Sequence, residues 1–272
     1  MEPNGELAIR IGAALSVFAV MALWEYLAPR RALALGRLRR WPSNIGLVVV
    51  YGLLERVLIP VAAVGTAAIA AQRGWGLLNI TPWPAWLGPA WLEVLIGFVA
   101  LDLAIYAQHV AFHKIPLLWR LHRMHHADLD IDVSTGLRFH PFEIVLSMLI
   151  KMAVVALLGV PLVAVVAFEV ALNATSMFNH SNAAMPVGLD RIVRLFIVTP
   201  DMHRVHHSIA RHETDSNFGF NLPWWDRAFG TYRPQPQAGH DGMTIGLPIF
   251  RDPAEARLDR LLSQPFREGP GG

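Results

Sequence analysis

Eight of the twelve histidines of this 272-residue chain fall into three tight clusters: His109-x-x-x-His113, His122-x-x-His125-His126 and His203-x-x-His206-His207. Residues three and four apart on a helix share one face, so each cluster aims its imidazoles at a common point. Neutral imidazole binds iron, zinc, copper and nickel, so ligand type alone does not choose the metal. Ligand number says more. A structural zinc closes with four ligands and a catalytic zinc takes three, whereas eight histidines supply about four to each of two ions, and two metals is the economical reading. His140, within Arg138-Phe139-His140-Pro141, and His180, within Asn179-His180-Ser181-Asn182, are the candidates to raise the shell to ten. His212 reads as a solvated or supporting residue and His240 as unrelated to the metals. Asp102 lies two helical turns before His109 on a similar face, where it either orients a ligand or serves helix packing.

Composition places this site in a membrane protein. The chain is 54% hydrophobic and 16% charged, with nine Trp, which is too apolar for an ordinary soluble domain. The formal charge of +2 includes no basic tract suited to nucleic acid, and no nucleic-acid role is assigned. The absence of Cys excludes disulfides, thiolate-ligated zinc and cysteine-held iron–sulfur clusters.

The elements that must position the histidines are apolar helices. Residues 8–28 form a first span, since the hydrocarbon core needs roughly 20 residues. Arg30, Arg31, Arg37, Arg39 and Arg40 follow it and mark the cytoplasmic side, with the N-terminus outward and no cleaved signal peptide. A second span at 44–71 leads to the segment 73–91, whose Trp75, Trp83, Trp86 and Trp91 suit the opposite interface. Glu55 and Arg56 within that span read as a buried structural polar contact. A third span at 90–112 returns to the cytoplasm and delivers the first His cluster. Residues 142–178 are too long for one crossing and are interrupted at Gly159 and Pro161, which predicts a helical hairpin. Only a hairpin returns the third cluster to the side of the first two. Residues 189–199 carry Arg191 and Arg194 among apolar neighbours and predict an amphipathic interfacial helix, with Trp224, Trp225 and Phe229 adding to the contact. Beyond residue 234 a mostly irregular tail is expected, with a short helix near 253–263. The fold class is therefore all-α: an integral membrane bundle of about four spanning regions under a cytoplasmic, His-rich helical cap.

The run DLAIYAQHVAFHKIPLLWRLHRMHHADLDIDVSTGLRFHPFE from Asp102 to Glu143, NHSN at 179–182 and TPDMHRVHHSIARHETDSNFGFNLPWWDRAFGTY at 199–232 resemble the fatty acid hydroxylase and sterol desaturase superfamily of membrane di-iron enzymes. The resemblance implies a transmembrane region at 1–88, a catalytic domain at 89–233 and a tail at 234–272. It implies that His109, His113, His122, His125, His126, His203, His206 and His207 hold two iron ions, which zinc can replace on purification, with His180 and His140 as additional ligands. It implies dioxygen-dependent hydroxylation or desaturation of a lipid C–H bond, on a fatty acyl chain, sterol or other isoprenoid. No nucleotide-cofactor fingerprint is present, so electrons would come from a separate NAD(P)H-dependent reductase with a ferredoxin or small cytochrome. A bacterial-type plasma membrane with the clusters facing the cytoplasm is the implied location. One departure is Gln108-His109-Val110, where many relatives carry an aromatic residue before this His and a basic one after it; it spares the ligand and changes its surroundings. The competing class is a non-catalytic membrane metal-binding or metal-transport protein. Clusters gathered at span ends on one side, and not strung along a membrane path, favour catalysis.

Overall fold

In the computed structural model, which describes residues 3–79 and 89–268, every regular element is helical. Two isolated β-bridges, Pro29 with Ala183 and Ser208 with Ile245, are the extended pairings among the described residues. The long helices are α1 (Pro3–Leu27), α2 (Arg37–Leu58), α3 (Ala62–Arg73), α4 (Trp91–Lys114), α5 (Pro116–His126), α6 (Pro141–Leu158) and α7 (Leu162–Asn179). Five stretches are long and apolar enough to cross a membrane: Ala8–Leu27, Arg37–Arg73, Trp91–Lys114, Pro141–Leu158 and Leu162–Asn179. The expected second span is broken between α2 and α3, at Pro60, because proline lacks the N–H that would continue the ladder. Trp83 and Trp86 lie outside the described residues, while Trp75 and Trp91 are exposed.

The predicted hairpin is present as α6 and α7. Gly159 ends α6 with φ +70°, a left-handed conformation that favours glycine, and Pro161 caps α7. The turn is pressed against residues 75–79: a Cβ on Gly159 would stand 2.7 Å from the Trp75 carbonyl oxygen. Leu78 N–H also donates to the Leu158 carbonyl at 2.8 Å. Small residues let the remaining helices close on this hairpin. Ala63 and Ala67 of α3 share one core with Leu101 and Ile105 of α4, Val155 of α6 and Phe168 of α7. Leu15, Val20, Leu23, Val49, Leu53 and Val57 stay exposed, an apolar outer surface suited to lipid.

Buried polar contacts fasten the span ends to the loops above them. Arg40, expected among the charges of a cytoplasmic loop, is instead fully buried. Its guanidinium grips Asp128 with two bonds of 2.7 Å and reaches Asp132 at 2.5 Å and Thr135 at 2.9 Å. Glu25, at the end of α1, accepts the backbone N–H groups of Val133 at 2.6 Å and Asn182 at 2.8 Å. Arg56 is exposed and Glu55 half-buried, so this pair is not the buried structural contact the sequence suggested.

The expected interfacial helix is shorter than 189–199. It is α8 (Val187–Val193), with Ile192, Leu195, Phe196 and Ile197 exposed near Trp224, whose indole donates to the Leu195 carbonyl at 2.8 Å. Arg194 turns inward to pair with Asp190, which removes it from the polar face the sequence assigned it. The segment after 234 is mostly irregular, with short helical turns at 253–256 and 258–263 as expected. It is nonetheless packed: Leu261 meets Leu47 and Met124, and Phe250 meets Ala127.

Arg40→Met removes the guanidinium that grips the buried Asp128 and Asp132 at once, and breaking a buried pair costs about 3–5 kcal/mol. A large fall in thermal midpoint is expected, whereas Arg39→Met, on the exposed side of the same turn, should be near neutral; equal midpoints for both variants would refute the assignment.

Candidate metal centre

Nine histidines converge in two groups, each with ligand atoms within 4.8 Å of one another: His109, His113, His122, His126 and His206 form one, and His125, His180, His203 and His207 the other. All nine are buried. The first cluster comes from the last two turns of α4, the second from the end of α5, and His180 from the residue capping α7. The third comes from α9 (Pro200–His206) and its cap, His207. The two groups share helices. On α5, His122 and His126, four apart, point to the first group and His125 to the second; on α9, His206 joins the first and His203 the second. Two short helices meeting therefore supply three histidines to each of two adjacent sites, and α4 and the cap of α7 complete the groups of five and four.

Most rings are aimed by a bond on the far side. His109 Nδ1–H donates to the Phe218 carbonyl at 2.7 Å, His206 to Ser216 at 2.7 Å, His180 to Ser176 at 2.7 Å and His125 to Arg138 at 3.0 Å. His122 donates to the Glu143 carboxylate at 2.7 Å. Carbonyls and carboxylates only accept, so each fixes the proton on Nδ1 and leaves the Nε2 lone pair pointing inward. The inward nitrogens then face one another as acceptors: His109 and His122 Nε2 are 3.1 Å apart, and His125 and His180 Nε2 are 3.0 Å apart. The Nε2 atoms of His113, His206 and His207 have no hydrogen-bond partner among the described residues. A cation at each group answers all of these lone pairs, so the donor set fits two metal ions of the imidazole-binding kind.

Burial also keeps the ligands of the third cluster, His126 and His180 neutral. His126, His203 and His207 are held well below the ordinary imidazole value by burial and then by repulsion from neighbouring histidines. Burial likewise pushes His206 down to about 3 and His180 down to about 4. Neutral imidazole is the form that ligates.

Two of the expected site residues lie elsewhere. His140 belongs to neither group: it caps α6, its Nδ1 accepting from Phe142 N–H at 3.3 Å and its Nε2–H donating to the Leu262 carbonyl at 3.2 Å. Both ring nitrogens are thereby used on backbone. Asp102 accepts from the Trp225 indole at 2.8 Å, a packing contact between α4 and the helical turn Trp224–Ala228, and the orienting of His109 falls to Phe218. His212 is exposed beside Glu213. His240 is buried, 3.6 Å from Asp201 and outside both groups. Glu143 was not anticipated, because no helical spacing relates it to His122, 21 residues earlier. Asp226 was also missed; its carboxylate accepts from Phe218 and Gly219 N–H at 2.8 and 2.9 Å and so holds the loop that orients His109.

The family model described as "Fatty acid hydroxylase" matches residues 94–231, half of the chain, and the chain belongs to that family. Among curated proteins it is similar to the ornithine lipid hydroxylase OlsE of Rhizobium tropici, 29% identical over 85% of this chain and 69% of that one. It is also similar to the alkylglycerol monooxygenase of Homo sapiens, 28% identical over 73% of this chain and 42% of that protein. Similarity extends to the cholesterol 25-hydroxylase of Rattus norvegicus, 26% identical over 54% of this chain and 48% of that one. The chain thus spans less than half the length of the latter two. No solved structure matches it significantly.

Two outcomes are expected. Glu143→Gln should leave the fold intact and weaken metal retention by about 10–100-fold in a chelator competition, the usual effect of losing the partner behind a ligating imidazole. Metal-free protein should lose stability as pH falls below about 6.5, where unfolded imidazoles take up protons that the folded ones refuse. With His180 at about 4 and His206 at about 3, the loss should continue to about pH 3. Denaturant midpoints measured across this range check the sign; a midpoint that rises on acidification would contradict it.

Proposed function

We propose that the protein is a membrane oxygenase that binds two iron ions and uses dioxygen and external reductant to hydroxylate a C–H bond of a lipid. The observation that carries this reading is a cavity of about 260 Å³ that runs from His109 and His122 into the helix bundle, past Phe112, Phe139, Ile144 and Met148. It joins a metal-binding surface to a space inside a membrane-type bundle that is lined near the histidines by apolar side chains, the arrangement needed to bring an unactivated carbon to a metal centre. The names of similar proteins support hydroxylation over desaturation, since they include an ornithine lipid hydroxylase, an alkylglycerol monooxygenase and a cholesterol 25-hydroxylase.

The bound irons would supply the reductive activation of dioxygen. The chain supplies the rest. His109, His113, His122, His126 and His206 hold one ion and His125, His180, His203 and His207 the other. Glu143, with one carboxylate oxygen on His122 and both its side chain and His122 at the cavity wall, fixes that ring where substrate would approach. Phe139 stacks on His125 with ring centroids 4.5 Å apart, and with Phe220 it walls the centre from bulk water.

Residues 94–231 would carry the catalysis. The tail would act as packing for α5. Arg30 bonds to Asp201, two residues before His203, and Arg40 to Asp128, two after His126, so the arginine-rich loop and the histidines share one end of the bundle. By the charge rule for membrane loops that end faces the cytoplasm, where a reductase with a ferredoxin or small cytochrome would deliver electrons.

The test is metal content of the detergent-purified protein with the iron spectrum before and after dioxygen is added to the reduced form. About two irons per chain and an oxygen-dependent change are expected from a pair of such sites. His125→Ala should abolish lipid hydroxylation while membrane insertion persists. Reconstituted iron that stays inert to dioxygen, or a fully active His125→Ala, would overturn the oxygenase reading in favour of a metal-binding protein.

A further inference from the structure

Away from the histidines, the same cavity ends at four ionisable side chains, each from a different spanning helix. These are Arg10 of α1, Glu55 of α2, Lys151 of α6 and Glu169 of α7. Lys151 Nζ donates to Glu169 Oε1 at 2.9 Å, and Arg10 pairs with Glu169 Oε2 at 2.5 Å. Glu55 stands apart from this chain of pairs: its buried Oε1 has no hydrogen-bond partner among the described residues. Ionisable groups inside a bilayer are costly, and where they line a cavity they mark the path of a ligand. Helix packing alone accounts for the Arg10–Glu169–Lys151 chain; it does not account for a carboxylate oxygen left without a donor at the cavity wall.

The geometry points to a recognition subsite for an uncharged hydroxyl or amide group on the substrate. Glu55 and Glu169 face the cations Arg10 and Lys151 at this end of the cavity, and a ligand group of net charge would add one more buried charge to be desolvated. A neutral group that both donates and accepts adds no such charge. Its N–H or O–H would donate to Glu55 Oε1, and its oxygen would accept from Lys151, whose ammonium has three N–H donors and spends one on Glu169. Glu169 lies eleven residues before His180 on α7, about 16 Å along the axis at 1.5 Å per residue. A polar group seated there would fix which carbon lies beside His109 and His122, so the subsite sets the position of oxidation as well as affinity. This inference rests on the oxygenase reading for its claim about position, and its claim about binding is tested without turnover.

The full-length protein in lipid nanodiscs would be titrated with 1-decanol and with n-decane, comparing dissociation constants on a membrane mole-fraction basis. The alcohol should bind at least about tenfold more tightly, the worth of one hydrogen bond to a charged group. Glu55→Gln and Lys151→Met should each bring that preference near unity while leaving decane binding unchanged; the thermal midpoint should hold for Glu55→Gln and fall for Lys151→Met, which also breaks the buried pair with Glu169. Glu55→Gln is isosteric and removes no existing bond at Oε1, so it separates recognition from folding. Equal affinity for the two probes, no saturable binding of either, or a preference that survives both substitutions would overturn the subsite. An alcohol preference without any lipid oxidation would keep the subsite and remove the oxygenase reading, whereas turnover without the preference would do the reverse.

Discussion

Nine imidazoles packed out of reach of water repel one another as soon as they take up protons, and much of this fold is arranged to keep them neutral and aimed. Burial lowers the proton affinity of His126, His203 and His207. Acceptors behind the rings then decide which nitrogen carries the remaining proton. Four of those acceptors are backbone carbonyls, at Phe218, Ser216, Ser176 and Arg138, so the orientation of the site depends on where loops and helix ends lie. A side-chain partner can be exchanged by substitution; a carbonyl moves only when the chain does.

That dependence explains the buried ionic contacts around the centre. Arg40 fixes Asp128 and Asp132, and with them the exit from α5 that carries the second cluster. Glu25 joins the end of α1 to Val133 and to Asn182, two residues past His180. Asp226 holds Phe218 and Gly219. Each is a carboxylate or guanidinium whose desolvation cost is offset by several well-made bonds, and each positions backbone that in turn positions a ring. The tail takes part in the same way: Leu261 packs on Met124 of α5, and the Leu262 carbonyl occupies His140.

The candidate metal centre was legible because its clusters are local. Spacings of three and four residues put His122, His125 and His126 on one side of α5 whatever the helix packs against. The hairpin was legible too, since Gly159 and Pro161 interrupt an apolar run too long for a single crossing. His140 and Asp102 could not be decided from sequence: backbone at Phe142 and Leu262 claims the His140 imidazole, and the Trp225 indole claims the Asp102 carboxylate, the packing role that was one of its two readings. Arg194 was misplaced, and the burial of Arg40 was not foreseen, because a charge in sequence says nothing of whether an opposite charge awaits it within the fold.

By itself, then, the sequence determined the helical class, the apolar spans and the three histidine clusters, all set by short-range periodicity and composition. Only the tertiary structure decided that α5 and α9 meet so as to sort the histidines into groups of five and four, with His180 included and His140 excluded. It also decided that Glu143 stands behind His122, and that Arg10, Glu55, Lys151 and Glu169, up to 159 residues apart, end at one cavity. The physical reason is that a helix fixes the direction of a side chain relative to its neighbours in sequence, whereas which directions converge depends on the packing of several helices at once.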